Sequence, residues 1–120
     1  MKTELDLTIE ALHSKNAFVS DGVVIGYPFN LQEAVQIFGK DVIPNELGIY
    51  HLFYDEQLVY IGMSRKLRSR LLSHLRDADK PFHTCLWFLA SDCGNNITTE
   101  DILKAERRLI KKFKPSLNIN

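Results

Sequence analysis

Residues 48–62, GIYHLFYDEQLVYIG, constrain this 120-residue chain more than any other stretch. Two apolar runs flank the polar tripeptide Asp55-Glu56-Gln57. Ile49, Tyr50, Phe53, Tyr54, Val59, Tyr60 and Ile61 are β-branched or aromatic, the types that suit a pleated strand. The tripeptide between them reads as a tight turn. The stretch is therefore a β-hairpin. Its strands are apolar on both faces, which places it mid-sheet with something packed on each side.

The remaining chain supplies the layers for such a sheet. Residues 1–15 include a short helical pattern. Residues 17–27, AFVSDGVVIGY, read as a smaller hairpin turning at Ser20-Asp21-Gly22 and ending before Pro28. Asn30 caps a helix that carries Leu31, Ala34, Val35 and Phe38 at helical spacing and stops at Gly39. After the central hairpin, Ser64 reads as the N-cap of a helix running to about Arg76 or Asp77, with Leu67, Leu71, Leu72 and Leu75 as its apolar stripe. Arg70 and His74 lie one turn apart on an edge of that stripe. Residues 83–90, HTCLWFLA, suit a third buried strand. Thr98 caps the last helix with Asp101 at the reciprocal position, and Pro115 prevents continuation beyond about Phe113.

The expected fold class is α/β: a small antiparallel three-stranded sheet (about 48–54, 58–62 and 84–90) flanked by helices. Residues 1–46 form an N-terminal hairpin-plus-helix extension, and residues 47–120 the main domain. The extension carries no recognisable chemistry and is either structural or a partner-binding surface.

Composition narrows the function classes. A hydrophobic fraction of 45% and a charged fraction of 25% match an ordinary globular protein. No apolar run is long enough to span a membrane, and the start, MKTELDLTIE, lacks a signal-peptide core, so a cytoplasmic location is expected. Cys85 and Cys93 read as reduced thiols rather than a zinc site. Net charge is zero but uneven. Residues 1–62 hold three basic and nine acidic residues, a balance of −6; residues 63–120 hold twelve basic and six acidic, a balance of +6. A basic half of this kind fits a polyanionic partner, or simply solvates its helix faces.

Glu106 stands where the stripe Ile102, Leu103, Leu109, Ile110, Phe113 calls for an apolar residue. An unpaired carboxylate aimed at the core side costs several kcal/mol. It therefore either pairs with an arginine at the stripe edge or binds a hard divalent ion such as Mg²⁺.

Gly48-Ile49-Tyr50 followed by Tyr60-Ile61-Gly62 resembles the signature of the GIY-YIG nucleases. Arg70 lies ten residues after Tyr60, as in that family, and His74 matches a position that is histidine or tyrosine in many members. AERRLIKKFKP resembles the family's glutamate helix and puts Glu106 at its metal-binding position. Asn118 in PSLNIN resembles its terminal Pro-x-x-Asn. The resemblance covers residues 47–120. Met63 departs from it: many relatives carry lysine there, so a cation at that point is absent or comes from Arg65 or Lys66.

The resemblance implies a metal-dependent DNA endonuclease, with RNA not excluded as substrate, using one Mg²⁺ or Mn²⁺ ion. Tyr50 would accept a proton from the attacking water, with His74 as a relay. Arg70 would grip the phosphate, and Tyr60 would bond the phosphate or the water. Glu106 would hold the metal, with Asn118 orienting it or a water. Arg65, Lys66, Arg68, Arg107, Arg108 and Lys111 would track the phosphate backbone. The alternative is a non-catalytic nucleic-acid-binding module on the same scaffold.

One geometric condition follows. A plain two-residue loop at Asp55-Glu56 would put Tyr50 opposite Ile61 and Tyr60 opposite His51, on opposite faces of the sheet. A single site needs Tyr50 opposite Gly62 and Tyr60 opposite Leu52. That register requires a three-residue loop or a bulge.

Overall fold

The computed structural model describes residues 18–20, 23–77 and 79–118. The helical pattern expected in residues 1–15 lies outside them, as do Asp21 and Gly22 of the first turn. Strands β1 (Phe18–Ser20) and β2 (Val23–Gly26) pair antiparallel, as the first hairpin requires. Helix α1 (Leu31–Phe38) starts at the Asn30 cap, whose Oδ1 accepts from the Glu33 N–H at 3.0 Å. It ends at Gly39, whose φ of 86° only glycine adopts freely.

The central sheet comprises β3 (Gly48–Tyr54), β4 (Gln57–Ser64) and β5 (Thr84–Leu89) in the order β4-β3-β5, all antiparallel. The middle strand, β3, is buried along its whole length except Tyr54, as its two-faced apolar pattern demands. Helix α2 (Leu67–His74) packs on one face and α3 (Thr99–Phe113) on the other. On the first face Tyr50 and Leu52 meet Leu67 and Leu71 of α2 and Leu31 and Ala34 of α1. On the second, Ile49 and Ile61 meet Ile102, Ala105 and Leu109 of α3. Each fully buried leucine or isoleucine among them contributes about 1.5–3 kcal/mol. Phe29, Leu31, Ala34 and Ile43, before β3, thus supply part of the main core.

Helix α3 carries the expected reciprocal cap: Asp101 N–H donates to Thr98 Oγ1 at 3.1 Å, and Thr98 N–H to Asp101 Oδ2 at 2.9 Å. The start of α2 differs from expectation. Ser64 is the last residue of β4, paired with Gly48, and its Oγ accepts from the Lys66 N–H at 3.0 Å. The sheet ladder outcompetes the helix for Ser64, so α2 begins at Leu67 and ends at His74.

The hairpin meets the register condition through a bulge. Asp55 and Glu56, with φ of 50° and 66°, form a two-residue turn between Tyr54 and Gln57. Positive φ at both positions gives the primed turn that matches strand twist. Pairing then runs Phe53 with Leu58 but Leu52 with Tyr60, leaving Val59 as the extra residue. Beyond the bulge Tyr50 faces Gly62, so both tyrosines turn to the α2 face.

Both sheet edges are covered. Phe29 and Cys85 exchange backbone hydrogen bonds at 3.0 and 2.9 Å along the β5 edge. On the β4 edge Leu117 N–H donates to the Val59 carbonyl at 2.8 Å. Asn118 then treats Ile61 as a neighbouring strand would: its Nδ2 donates to the Ile61 carbonyl at 2.8 Å, and its Oδ1 accepts from the Ile61 N–H at 2.7 Å. Covered edges do not recruit further strands. Among the described residues no helix is long and apolar enough to cross a membrane.

Candidate active site

Tyr50, Tyr60 and His74 form one aromatic cluster between β3, β4 and the end of α2. Their ring centroids lie 6.0 Å apart for the tyrosine pair, and 5.2 and 5.4 Å from His74 to Tyr50 and Tyr60. Tyr50 Oη and His74 Nε2 are hydrogen-bonded at 2.7 Å, and both residues are buried. Gly62 makes this possible. A Cβ there would lie under 3.0 Å from Oη and Cζ of Tyr50 and from Cε2 of Tyr60, so the Tyr50 ring occupies the space a side chain would need.

Burial sets the protonation states. It pushes the Tyr50 phenol well above its ordinary pKa; the Tyr60 phenol and Glu106 add to the rise, and the Arg70 guanidinium opposes it. His74 is driven down to about 4, first by burial, then by the Lys80 and Arg70 cations, with Asp77 opposing. His74 is therefore neutral at pH 7. With its proton on Nδ1, its Nε2 accepts the Tyr50 hydroxyl proton, and the Tyr50 oxygen is left as an acceptor.

Arg70 is exposed on α2, close enough to act electrostatically on both Tyr50 and His74. Glu106 stands on the opposite side of the sheet and acts on Tyr50 electrostatically. It is half-buried on α3 and faces the Met63 backbone of β4. Burial raises its carboxyl pKa, while the Met63 backbone N–H and Arg107 oppose the rise. The edge groups of β4 thus alternate in use: Val59 binds Leu117, Ile61 binds Asn118, and Met63 N–H is directed at Glu106. Both amide atoms of Asn118 are committed to Ile61. Asn118, expected to orient Glu106 or a metal-bound water, holds the strand on which Met63 sits.

Among the described residues no group of three or more His, Cys, Asp or Glu converges. One half-buried carboxylate suits a hard ion that keeps most of its waters, as Mg²⁺ does, and does not suit a protein cage.

Of the expected phosphate-tracking residues, Arg65, Lys66, Arg107, Arg108 and Lys111 are exposed. Arg68 is turned inward instead: its Nε donates to the Ile43 carbonyl at 2.8 Å and its Nη1 lies 3.5 Å from Asp41. It ties α2 to the segment before β3. The cation found at Tyr60 was not foreseen. Lys80 Nζ lies 4.8 Å from the centre of the Tyr60 ring. Lys80 belongs to a loop without periodicity, so only the chain path brings it there.

The chain's residues 46–119 match the family model of the UvrC-like GIY-YIG domain. The UvrABC system protein C of Methanosphaera stadtmanae is 34% identical over 86 residues, covering 67% of this chain and 14% of that protein. Its counterpart from Dictyoglomus thermophilum is 36% identical over 80 residues, covering 63% of this chain and 13% of that protein. The chain thus spans about a seventh of the length of these relatives. The fold is similar to the GIY-YIG N-terminal endonuclease domain of UvrC from Thermotoga maritima, seen bound to its catalytic divalent cation, magnesium. The TM-score is 0.53 and the identity 22%, over 65% of this chain and 89% of that one. With the tripeptides, the register that unites their tyrosines and the matching family model in agreement, this chain belongs to the UvrC-like GIY-YIG family.

Proposed function

We propose that this protein is a divalent-metal-dependent DNA endonuclease that hydrolyses phosphodiester bonds by in-line attack of water. The observation that carries the reading is the buried 2.7 Å bond between Tyr50 Oη and His74 Nε2, beside Tyr60 and Arg70. A tyrosine whose pKa is raised holds no standing negative charge at pH 7, so it serves as a base only if its proton has somewhere to go. Neutral His74 provides that place.

The attacking water gives a proton to Tyr50 Oη while the Tyr50 proton passes to His74 Nε2. The water oxygen bonds to phosphorus, and the bond from phosphorus to the 3′-oxygen breaks. The products are a 5′-phosphate and a 3′-hydroxyl, which takes its proton from solvent; His74 returns its own to solvent. Arg70 grips the non-bridging oxygens with its planar fork. The negative phosphate beside His74 also stabilises the imidazolium that burial disfavours. Tyr60 orients the phosphate or the water. Glu106 would hold a single Mg²⁺ or Mn²⁺ ion, which when bound stabilises charge on the leaving oxygen.

Asn118 acts as a positioning residue, fixing β4 beside Glu106. Arg65, Lys66, Arg107, Arg108 and Lys111 contact the backbone with little base readout. Residues 47–120 carry the chemistry, and residues 1–46 are an extension, of which Phe29, Leu31, Ala34 and Ile43 join the core. The expected compartment is the cytoplasm, consistent with the free thiols of Cys85 and Cys93.

Incubation with plasmid, single-stranded and branched DNA, and with RNA, tests the reading. Cleavage with Mg²⁺ or Mn²⁺, abolished by chelator and by Glu106→Ala, is expected. Cleavage that survives in Glu106→Ala would sink the assignment of that residue. Retention of DNA by the wild type without cleavage would leave a binding module in place of the enzyme.

A further inference from the structure

A cleft of about 330 Å³ lies beside the tyrosine cluster and shares His74 with it. Lys80, Arg76 and Phe82 line it, and Tyr54 and His83 form its far side. Those two rings stack with centroids 4.4 Å apart and planes 26° apart, and Tyr54 is 40% exposed. Lys80 stands at the boundary, its ammonium over the Tyr60 ring. Among the described residues Lys80 forms no ion pair, whereas His83 faces Asp55 at 3.7 Å. Asp77, the one carboxylate in the lining, accepts the Asp79 backbone N–H at 2.9 Å.

We propose that this cleft is a nucleotide subsite: Lys80 contacts the phosphate next to the scissile one, and the cleft takes the unpaired base that follows, against Tyr54 and His83. The inference rests on the nucleic-acid reading above and specifies its substrate. Three features support it. The cleft volume is at the low end for small-ligand sites, enough for one base and sugar but not for a duplex. Its wall combines cations with an exposed aromatic stack, the pairing that holds single strands. It shares His74 with the cluster, and Lys80, in its lining, also reaches the Tyr60 ring, so Lys80 stands where the two sites join. A base can enter only after leaving its stack, so the subsite favours single-stranded, frayed or distorted DNA over regular duplex.

The test measures binding of a fluorescein-labelled single-stranded oligonucleotide and its duplex to the full chain in chelator, across a salt series. Lys80→Ala should weaken single-strand binding and reduce the slope of log affinity against log salt by about 0.7, the share of one phosphate contact. Lys80→Arg should restore the slope. Tyr54→Ala should weaken single-strand binding by roughly 5- to 100-fold, as loss of one stacking partner does, with a smaller effect on the duplex. Melting curves confirm that each variant is folded. An unchanged slope in Lys80→Ala, or equal losses for single strand and duplex in Tyr54→Ala, would overturn the subsite. A wild type that binds with the Lys80-dependent slope but never cleaves with Mg²⁺ would support the subsite while removing the nuclease activity.

Discussion

At Tyr50 the competing demands on a single side chain are visible. Its ring lies across Gly62, its hydroxyl is bonded to His74, and burial keeps it protonated. Tyr50→Phe keeps the ring and loses only the oxygen. It is expected to lower cleavage turnover by at least about 100-fold, the scale of acid–base catalysis, while costing only about 1 kcal/mol of stability. Gly62→Ala should do the reverse in kind. The new methyl meets the Tyr50 ring and costs about 1–3 kcal/mol by overpacking, read as a drop in the urea midpoint. Histidine protonation supplies a pH prediction. Burial lowers both His51 and His74 to about 4, so between there and 6.5 the unfolded chain binds protons that the native one does not. Stability is full above pH 6.5 and falls as pH drops through that window, by about 1–3 kcal/mol per histidine. Glu106, raised by burial, works in the opposite direction. Urea titrations at pH 7 and pH 4.5 check this; a midpoint that does not fall would contradict buried neutral histidines.

At the scale of elements, the hairpin and its edges do the positioning. The turn places Asp55 and Glu56 in left-handed backbone, which costs a residue with a Cβ about 1–2 kcal/mol and glycine much less. Glu56→Gly is expected to stabilise the fold by about 0.5–1 kcal/mol, measured by thermal melting, since part of that relief is offset by a looser unfolded chain. The β4 edge gives a second prediction. Asn118→Ala removes both partners of Ile61, leaving a half-buried N–H and carbonyl exposed to competition from water. The expected loss is about 1–3 kcal/mol, with faster hydrogen exchange at the Ile61 amide. Because Met63 and Glu106 lie just beyond, cleavage should fall through weaker metal affinity, recovered at higher Mg²⁺ concentration. Turnover that stays low at saturating Mg²⁺ would mean that Asn118 touches the reacting groups.

At the scale of the whole molecule, the proposed site draws on two faces of one sheet. Tyr50 and Tyr60 face the layer of α2, which ends at His74, and Glu106 approaches the outer edge of β4 from α3 on the other face. An edge strand is the one place in a three-stranded sheet where both layers can reach a common point. The basic excess of residues 63–120 lies on the elements that carry these residues, with Arg65, Lys66, Arg107, Arg108 and Lys111 exposed. DNA affinity should therefore fall steeply with salt. Combined Arg107→Ala and Arg108→Ala substitution should reduce the slope of log affinity against log salt by up to about 1.8 on duplex DNA, without changing the sequence preference. Arg68→Ala, by contrast, should leave the slope alone and lower stability, because its guanidinium is spent on Ile43 and Asp41.

Local pattern determined most of this protein. The two-faced apolar runs settle which strand is central, caps at Asn30 and Thr98 set where α1 and α3 begin, and the polar interruption at Glu106 marks a carboxylate that the core cannot absorb. These signals survive in a linear sequence because they depend on neighbours within a few residues. Tertiary structure alone decided the rest. Whether two tyrosines share a face depended on one extra residue at Val59, and the sheet ladder, not capping propensity, decided the fate of Ser64. Arg68 was drawn inward by a carbonyl 25 positions away, Lys80 was delivered to Tyr60 by an irregular loop, and Asn118 was committed to a strand edge 57 positions away. Each of these is a contact between residues far apart in the chain, and its energy exists only once the fold has closed the distance.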